Sequence, residues 1–190
     1  MTKLKKWQLL QTEDISPSSH FPLEKRTYKL PNGKVVNDFY VTTIADSVHI
    51  IPITPDGNVV MIRMYKPGID QFVTQFPAGR FEASKHKDKT DTAAQELEEE
   101  TGIKVDPSQL QYLGKQAVMT TKSSEYAHVY IATHVKFNSQ QKLDDYEEID
   151  VIVVSPDDID LMIEEGEIIE GLTIADWYLV KSKFPQLLDL

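Results

Sequence analysis

The stretch Ala93–Ile103 reads AAQELEEETGI and places carboxylates at 96, 98, 99 and 100. On a helix of 3.6 residues per turn, Glu96, Glu99 and Glu100 stand at i, i+3 and i+4 and point from one face, while Ala93, Leu97 and Thr101 form an adjacent face able to pack on a sheet. Like charges at those spacings destabilise a helix, and no Lys or Arg on the same helix relieves them. Gly102 suits the left-handed residue that closes a helix, so the glutamates occupy its last turns, where the macrodipole is negative and cations are preferred. A solvated acidic face is the alternative reading of such a run. The placement makes physical sense if a divalent cation binds there, since hard carboxylate oxygens suit Mg²⁺ or Mn²⁺.

Acidic residues are plentiful in this chain of 190, with 30 Asp+Glu against 20 Lys+Arg and a formal charge of −10. That field disfavours nucleic-acid and anionic-membrane partners. With 41% hydrophobic residues the chain can bury one sizeable core. Absence of Cys excludes disulfides and thiolate sites. The lysines at the start precede an apolar patch that ends at Leu10, too short for a signal-peptide core, and no stretch has the apolar length of a membrane span. A soluble, cytoplasmic protein is expected.

Upstream of the acidic stretch, Asn32-Gly33 and Asp56-Gly57 each sit between runs rich in β-branched and aromatic residues, a strong hairpin signal. Antiparallel strands are expected near 28–30, 35–44, 48–54 and 59–65, and another at 72–76 running into a Pro77-Ala78-Gly79 loop. Strand composition returns at 110–119, 126–135 and 149–155. Helices are expected at 90–101, at 156–165 with Pro156 in the first turn, and at 173–184. The absence of a βαβ rhythm indicates an α+β fold. A first region over residues 1–45 and a second over 46–190 are expected.

The longer stretch Pro77–Ile103, PAGRFEASKHKDKTDTAAQELEEETGI, resembles the signature of the Nudix hydrolases. Glu96, Leu97, Glu99, Glu100, Gly102 and Ile103 match its second half. The first half departs: Lys85 stands where the signature has Glu, and Gln95 where it has Arg, after two extra loop residues. In the family that Glu and Arg steady the loop; losing both avoids an orphaned charge, and Glu82 is a candidate replacement carboxylate. The resemblance implies an α/β/α sandwich with a mixed sheet, and a metal held by Glu96, Glu99 and Glu100 with the Ala78 carbonyl.

The segments LPNGKVVNDFYV, VVMIRMYKPGIDQFVTQFPAG and IDVIVVSPDDIDLMIEEGEIIEGLTIADWYLV look like the ADP-ribose and nucleoside-diphosphate-sugar pyrophosphatase branch. That resemblance implies hydrolysis of a nucleotide–sugar diphosphate to a nucleoside monophosphate and a sugar phosphate. It also implies a homodimer with N-terminal strands crossing to the partner. On the same ground Trp7, Phe21, Tyr28 and Phe39 are candidate base contacts, and Arg26, Arg63 and Lys66 candidate phosphate contacts, with core packing and plain surface charge as their competing roles. The water-activating base is expected in LDDYEEIDV, with Glu147 first and Asp145, Glu148 and Glu125 behind it, and Glu99 shares the catalytic assignment. His20, His49, His86, His128 and His134 lack metal-ligand spacing. Two other functions fit the same residues: a non-catalytic nucleotide-binding module, and a nucleoside triphosphate pyrophosphohydrolase.

Overall fold

The computed structural model describes residues 4–187. The three residues at each terminus, at the outer ends of the two expected regions, lie outside the described residues. The chain divides into two units, one of residues up to Ala45 together with Ala117–Tyr126, the other of Asp46–Gln116 with the residues from Ala127 on.

In the first unit, β1 (Gln8–Asp14), β2 (Leu23–Lys29) and β3 (Val35–Thr42) form an antiparallel sheet in that order. The Asn32-Gly33 signal works as expected: Gly33 has φ 87° and donates to the Leu30 carbonyl at 2.9 Å, closing the β2–β3 hairpin. The polar, wholly exposed β1 was not expected from its composition; pairing with β2, with a bulge between Leu9 and Gln11, makes it a strand. Ala117–Tyr126 returns to this unit, with Lys122 accepting from the Thr42 N–H at 2.7 Å and Thr42 from the Ser124 N–H at 3.1 Å.

The second unit is built on β4 (Ser47–Ile53), β5 (Val59–Lys66), β6 (Gln71–Gln75), β7 (Ala78–Arg80), β8 (Gln111–Ala117), β9 (Tyr126–Thr133) and β10 (Ile149–Val154). The order is β10-β5-β4-β9-β8, with β6 beside β5 and β7 beside β4. Two expectations change here. The strands flanking Asp56-Gly57 pair only at Ile53↔Val59, and β4 instead runs parallel to β9 over Ser47–Ile53. Ala78-Gly79, expected as loop, is the strand β7, paired with β4 through Val48↔Gly79 and His49↔Ala78. Ile50 N–H donates to the Pro77 carbonyl on that side. Pro52, two residues on, faces the same side, and its missing donor falls where β7 has ended and β5 has barely begun.

Successive residues of the central strands enter opposite cores. Val48, Ile50, Val60 and Tyr130 pack with Ala93, Leu97 and Ile103 of the α1 (Lys89–Thr101) region. Ile51, Ile53, Met61 and Ile131 pack instead with Ile159 of α2 (Pro156–Glu164) and Trp177 and Val180 of α3 (Gly171–Lys183). One helix on one face and two on the other make the unit an α/β/α sandwich, which is why β4 is buried along almost its whole length.

Candidate active site

Local signals at both ends position α1. Asp88 caps its start, accepting from the Thr90 and Asp91 N–H groups at 2.9 Å each. Gly102 ends it at φ 73° with its N–H on the Glu98 carbonyl at 2.9 Å, and a Cβ there would also press on the Ser139 carbonyl. With both ends set and Ala93, Leu97 and Thr101 buried, the glutamates are aimed as helical spacing requires.

They do not share one environment. Glu96 and Glu99 line a cleft of about 360 Å³, together with Ala78, Gly79, Glu82, Lys85, Asp144 and Glu147. Glu100 is 3% exposed and accepts the Ala78 N–H at 2.8 Å, tying β7 to the helix. Glu98 is drawn to the other side, with Lys142 Nζ at 2.9 Å, Lys104 Nζ at 3.3 Å and the Ser139 hydroxyl at 2.8 Å. Lys142, Ser139 and Lys104 hold its carboxyl down at about 2. Cations from elsewhere in the chain therefore relieve the one glutamate outside the i, i+3, i+4 set.

Glu96 and Glu100 are pushed the opposite way. Burial first, then Glu99, Glu147, Asp144 and Glu82, pushes the Glu96 carboxyl up to about 7. Burial likewise pushes Glu100 up to about 8, opposed by the Ala78 N–H, reinforced by Glu96 and Glu147, and opposed again by Lys66. Among the described residues no three His, Cys, Asp or Glu side chains already enclose a metal position. The donors are nonetheless hard oxygens crowded against their own repulsion, and Gly79 lacks a side chain where the Glu96 carboxylate lies. Such a set fits a divalent cation, which would reverse the repulsion.

A NUDIX domain model matches residues 43–174. The chain belongs to the NUDIX family. The Methanol dehydrogenase activator of Bacillus methanolicus is 29% identical over 175 residues, 92% of either chain. The ADP-ribose pyrophosphatase of Bacillus subtilis (strain 168) is 26% identical over 169 residues, 85% of either chain. A crystal structure described as an ADP compounds hydrolase superposes with a TM-score of 0.84 at 20% identity, over 98% of both chains, and supports the fold.

The remaining expected residues fall in several places. Glu147 is in the Nudix cleft, half-buried, with a carboxylate oxygen accepting the Asp144 N–H at 3.1 Å; Asp145 and Glu148 are exposed and do not line it. Lys66 lines a different pocket, and exposed Arg63 stands over the Phe72 ring at 5.7 Å. Arg26 and Phe39, with Trp7 and Tyr28, line a pocket of about 350 Å³ in the first unit. The three rings there meet edge to face, and Arg26 is held by Glu24 at 2.6 Å. Glu125 is also in the first unit, its N–H on the Ser123 hydroxyl at 3.1 Å.

Sequence reasoning passed over Asp144 and Lys142 and set His86 aside as lacking metal-ligand spacing; all three line the Nudix cleft. His86 Nδ1 is buried there without a hydrogen-bond partner. The signal available in the sequence was the pair of extra residues in the loop that carries Lys85 and His86.

Proposed function

We propose that this Nudix hydrolase splits the diphosphate of an ADP-linked compound, ADP-ribose or a nucleotide sugar, into a nucleoside monophosphate and a sugar phosphate. The observation that carries the reading is the cleft in which Glu96, Glu99, Asp144 and Glu147 converge behind Gly79. The name ADP-ribose pyrophosphatase of the 26% identical relative supports the substrate class.

Glu96 and Glu99, with Glu100 and the Ala78 carbonyl beside them, would hold Mg²⁺ or Mn²⁺. When bound, such an ion neutralises the diphosphate and polarises phosphorus. Glu147 stands apart from the helix, at the cleft wall, and takes the proton from the water whose oxygen attacks phosphorus. The anhydride P–O bond then breaks and the second phosphate leaves as a monoester. Lys66, which lies close enough to bias the charge on Glu100, assists with phosphate charge. Arg26 and Phe39, with Trp7 and Tyr28, offer a guanidinium and ring faces to a base. By its resemblance the first unit also serves assembly as a homodimer, which light scattering of the intact protein tests: a monomer at micromolar concentration overturns it.

The deciding experiment incubates purified protein with ADP-ribose, nucleotide sugars and nucleoside triphosphates, with Mg²⁺, with Mn²⁺ and with chelator. Monophosphate and sugar phosphate should form only with metal. Pyrophosphate released from triphosphates as the sole reaction would overturn the substrate class, and binding without any turnover would indicate the non-catalytic module.

The Methanol dehydrogenase activator relative favours a second reading, that the chain stimulates a dehydrogenase. Adding the protein to an alcohol dehydrogenase assay separates the two: stimulation without hydrolysis of any nucleotide supports this one.

A further inference from the structure

The loop from Phe81 to Asp88 carries Glu82, Lys85 and His86 into the carboxylate cleft, so its position sets the shape of the site. Little within the loop fastens it to the sheet. Lys85 turns back to Glu82, with Nζ 3.0 Å from the carboxylate and its N–H on the Glu82 carbonyl at 2.9 Å. Asp88 is engaged in capping α1. What closes the loop is a residue outside it.

Asp46, the residue before β4, meets both ends. Its carbonyl accepts the Phe81 N–H at 2.9 Å. Its carboxylate Oδ2 lies 3.3 Å from Nζ of Lys89, the first residue of α1. That ammonium also sits over the Phe81 ring, 5.0 Å from its centroid, so the two ends touch each other as well as Asp46. The carboxylate is in turn oriented from the sheet: His128 Nε2 is 3.0 Å from the same Oδ2, and His128 Nδ1 is 3.2 Å from the Tyr112 hydroxyl. His128 is on β9, in register with Val48 of β4. The side chains of Lys89, Asp46 and His128 are 30%, 26% and 15% exposed. An isolated exposed ion pair contributes little, whereas a partly buried network with a lysine, an imidazole, a ring and a main-chain bond on one residue can define a geometry.

We infer that Asp46 is a positioning residue for the cleft, clamping the Phe81–Asp88 loop at both ends through Phe81 and Lys89 with His128 as its anchor. The inference rests on the hydrolase reading above for its consequence in turnover, but the clamp itself is measurable without it. Through Phe81 and Lys89, Asp46 acts on where Glu82, Lys85 and His86 stand.

Hydrogen exchange on the full chain, without metal, tests the clamp in Asp46→Asn, Lys89→Met, Lys89→Arg and the Asp46→Asn/Lys89→Met double variant. Amides of residues 82–88 should exchange at least about tenfold faster in Asp46→Asn and Lys89→Met, while α2 and α3 stay as protected as in the wild type. The double variant should be no faster than Asp46→Asn alone, since both changes open one clamp. Lys89→Arg, which keeps a cation over Phe81, should behave as wild type. On a hydrolysed substrate, kcat should fall about tenfold in the first two variants with KM within about twofold, and Lys89→Arg should restore it. Unchanged exchange at 82–88 overturns the clamp. So does faster exchange spread through α2 and α3, which marks a general loss of stability. If the wild type hydrolyses none of the compounds, the functional reading fails while the exchange comparison still decides the clamp.

Discussion

Gly79 on β7 and Glu96 on α1 are packed so closely that a methyl group on the glycine would overlap the glutamate carboxylate. The glycine is needed for that approach, which places Glu96 at the floor of the cleft. Gly79→Ala should displace the carboxylate by about an ångström and lower turnover about 10²-fold, with the far-ultraviolet circular dichroism unchanged. An active Gly79→Ala enzyme would show that Glu96 has no fixed place in the chemistry.

Glu99 and Glu147 line the same cleft from different segments, and their loss should read differently. Glu99→Gln should reduce turnover at least about 10²-fold and weaken metal binding by calorimetry. Glu147→Gln should reduce turnover comparably while metal and substrate affinities hold. Collapse of metal affinity in Glu147→Gln would make it a ligand instead of the base.

The raised carboxyls give a pH dependence of stability. Glu96 and Glu100 keep protons up to about 7 and about 8, whereas an ordinary glutamate releases them at 4.5. Between those limits the folded state binds more protons than the unfolded chain, so stability falls as pH rises. In chelator, Tm should drop from about pH 5 to about pH 8, and Glu100→Gln should flatten the slope. Adding Mg²⁺ at the upper end should recover Tm, because the ion binds the folded state alone. Identical slopes for the two proteins in chelator would contradict this.

Asp176 lies fully buried on α3, with His49 Nδ1 at 2.7 Å from one oxygen and the Gln116 amide donating to the other at 2.6 Å. Burial raises its pKa, and the contacts to His49 oppose the rise. Asp176→Ala strands His49 on β4 and Gln116 on β8 and should cost about 3 kcal/mol or more in urea denaturation. A loss below about 1 kcal/mol would mean that the pair adds nothing to holding α3 on the sheet.

What the sequence by itself determined about this protein is what depends on neighbours along the chain. The boundaries of α1 follow from a cap at Asp88 and a left-handed Gly102, and the three glutamates on one face follow from the helical repeat. The β2–β3 turn follows from Asn32-Gly33, and the start of α2 from Ser155-Pro156 with its capping box. These contacts close within a few residues, so residue type alone states them. The departures at Lys85 and Gln95 were legible as well, but not what accompanies them. Only the tertiary structure paired β4 in parallel with β9, gave Ala78-Gly79 a place as a strand, and made a strand of polar β1. It alone brought Lys142 to Glu98, set Asp144 and Glu147 opposite Glu96, and put Asp46 between Phe81 and Lys89. Each of these joins segments ten or more residues apart. Which distant carboxylate or lysine arrives is decided by the packing of two apolar faces on one sheet, and no local pattern of charge records that.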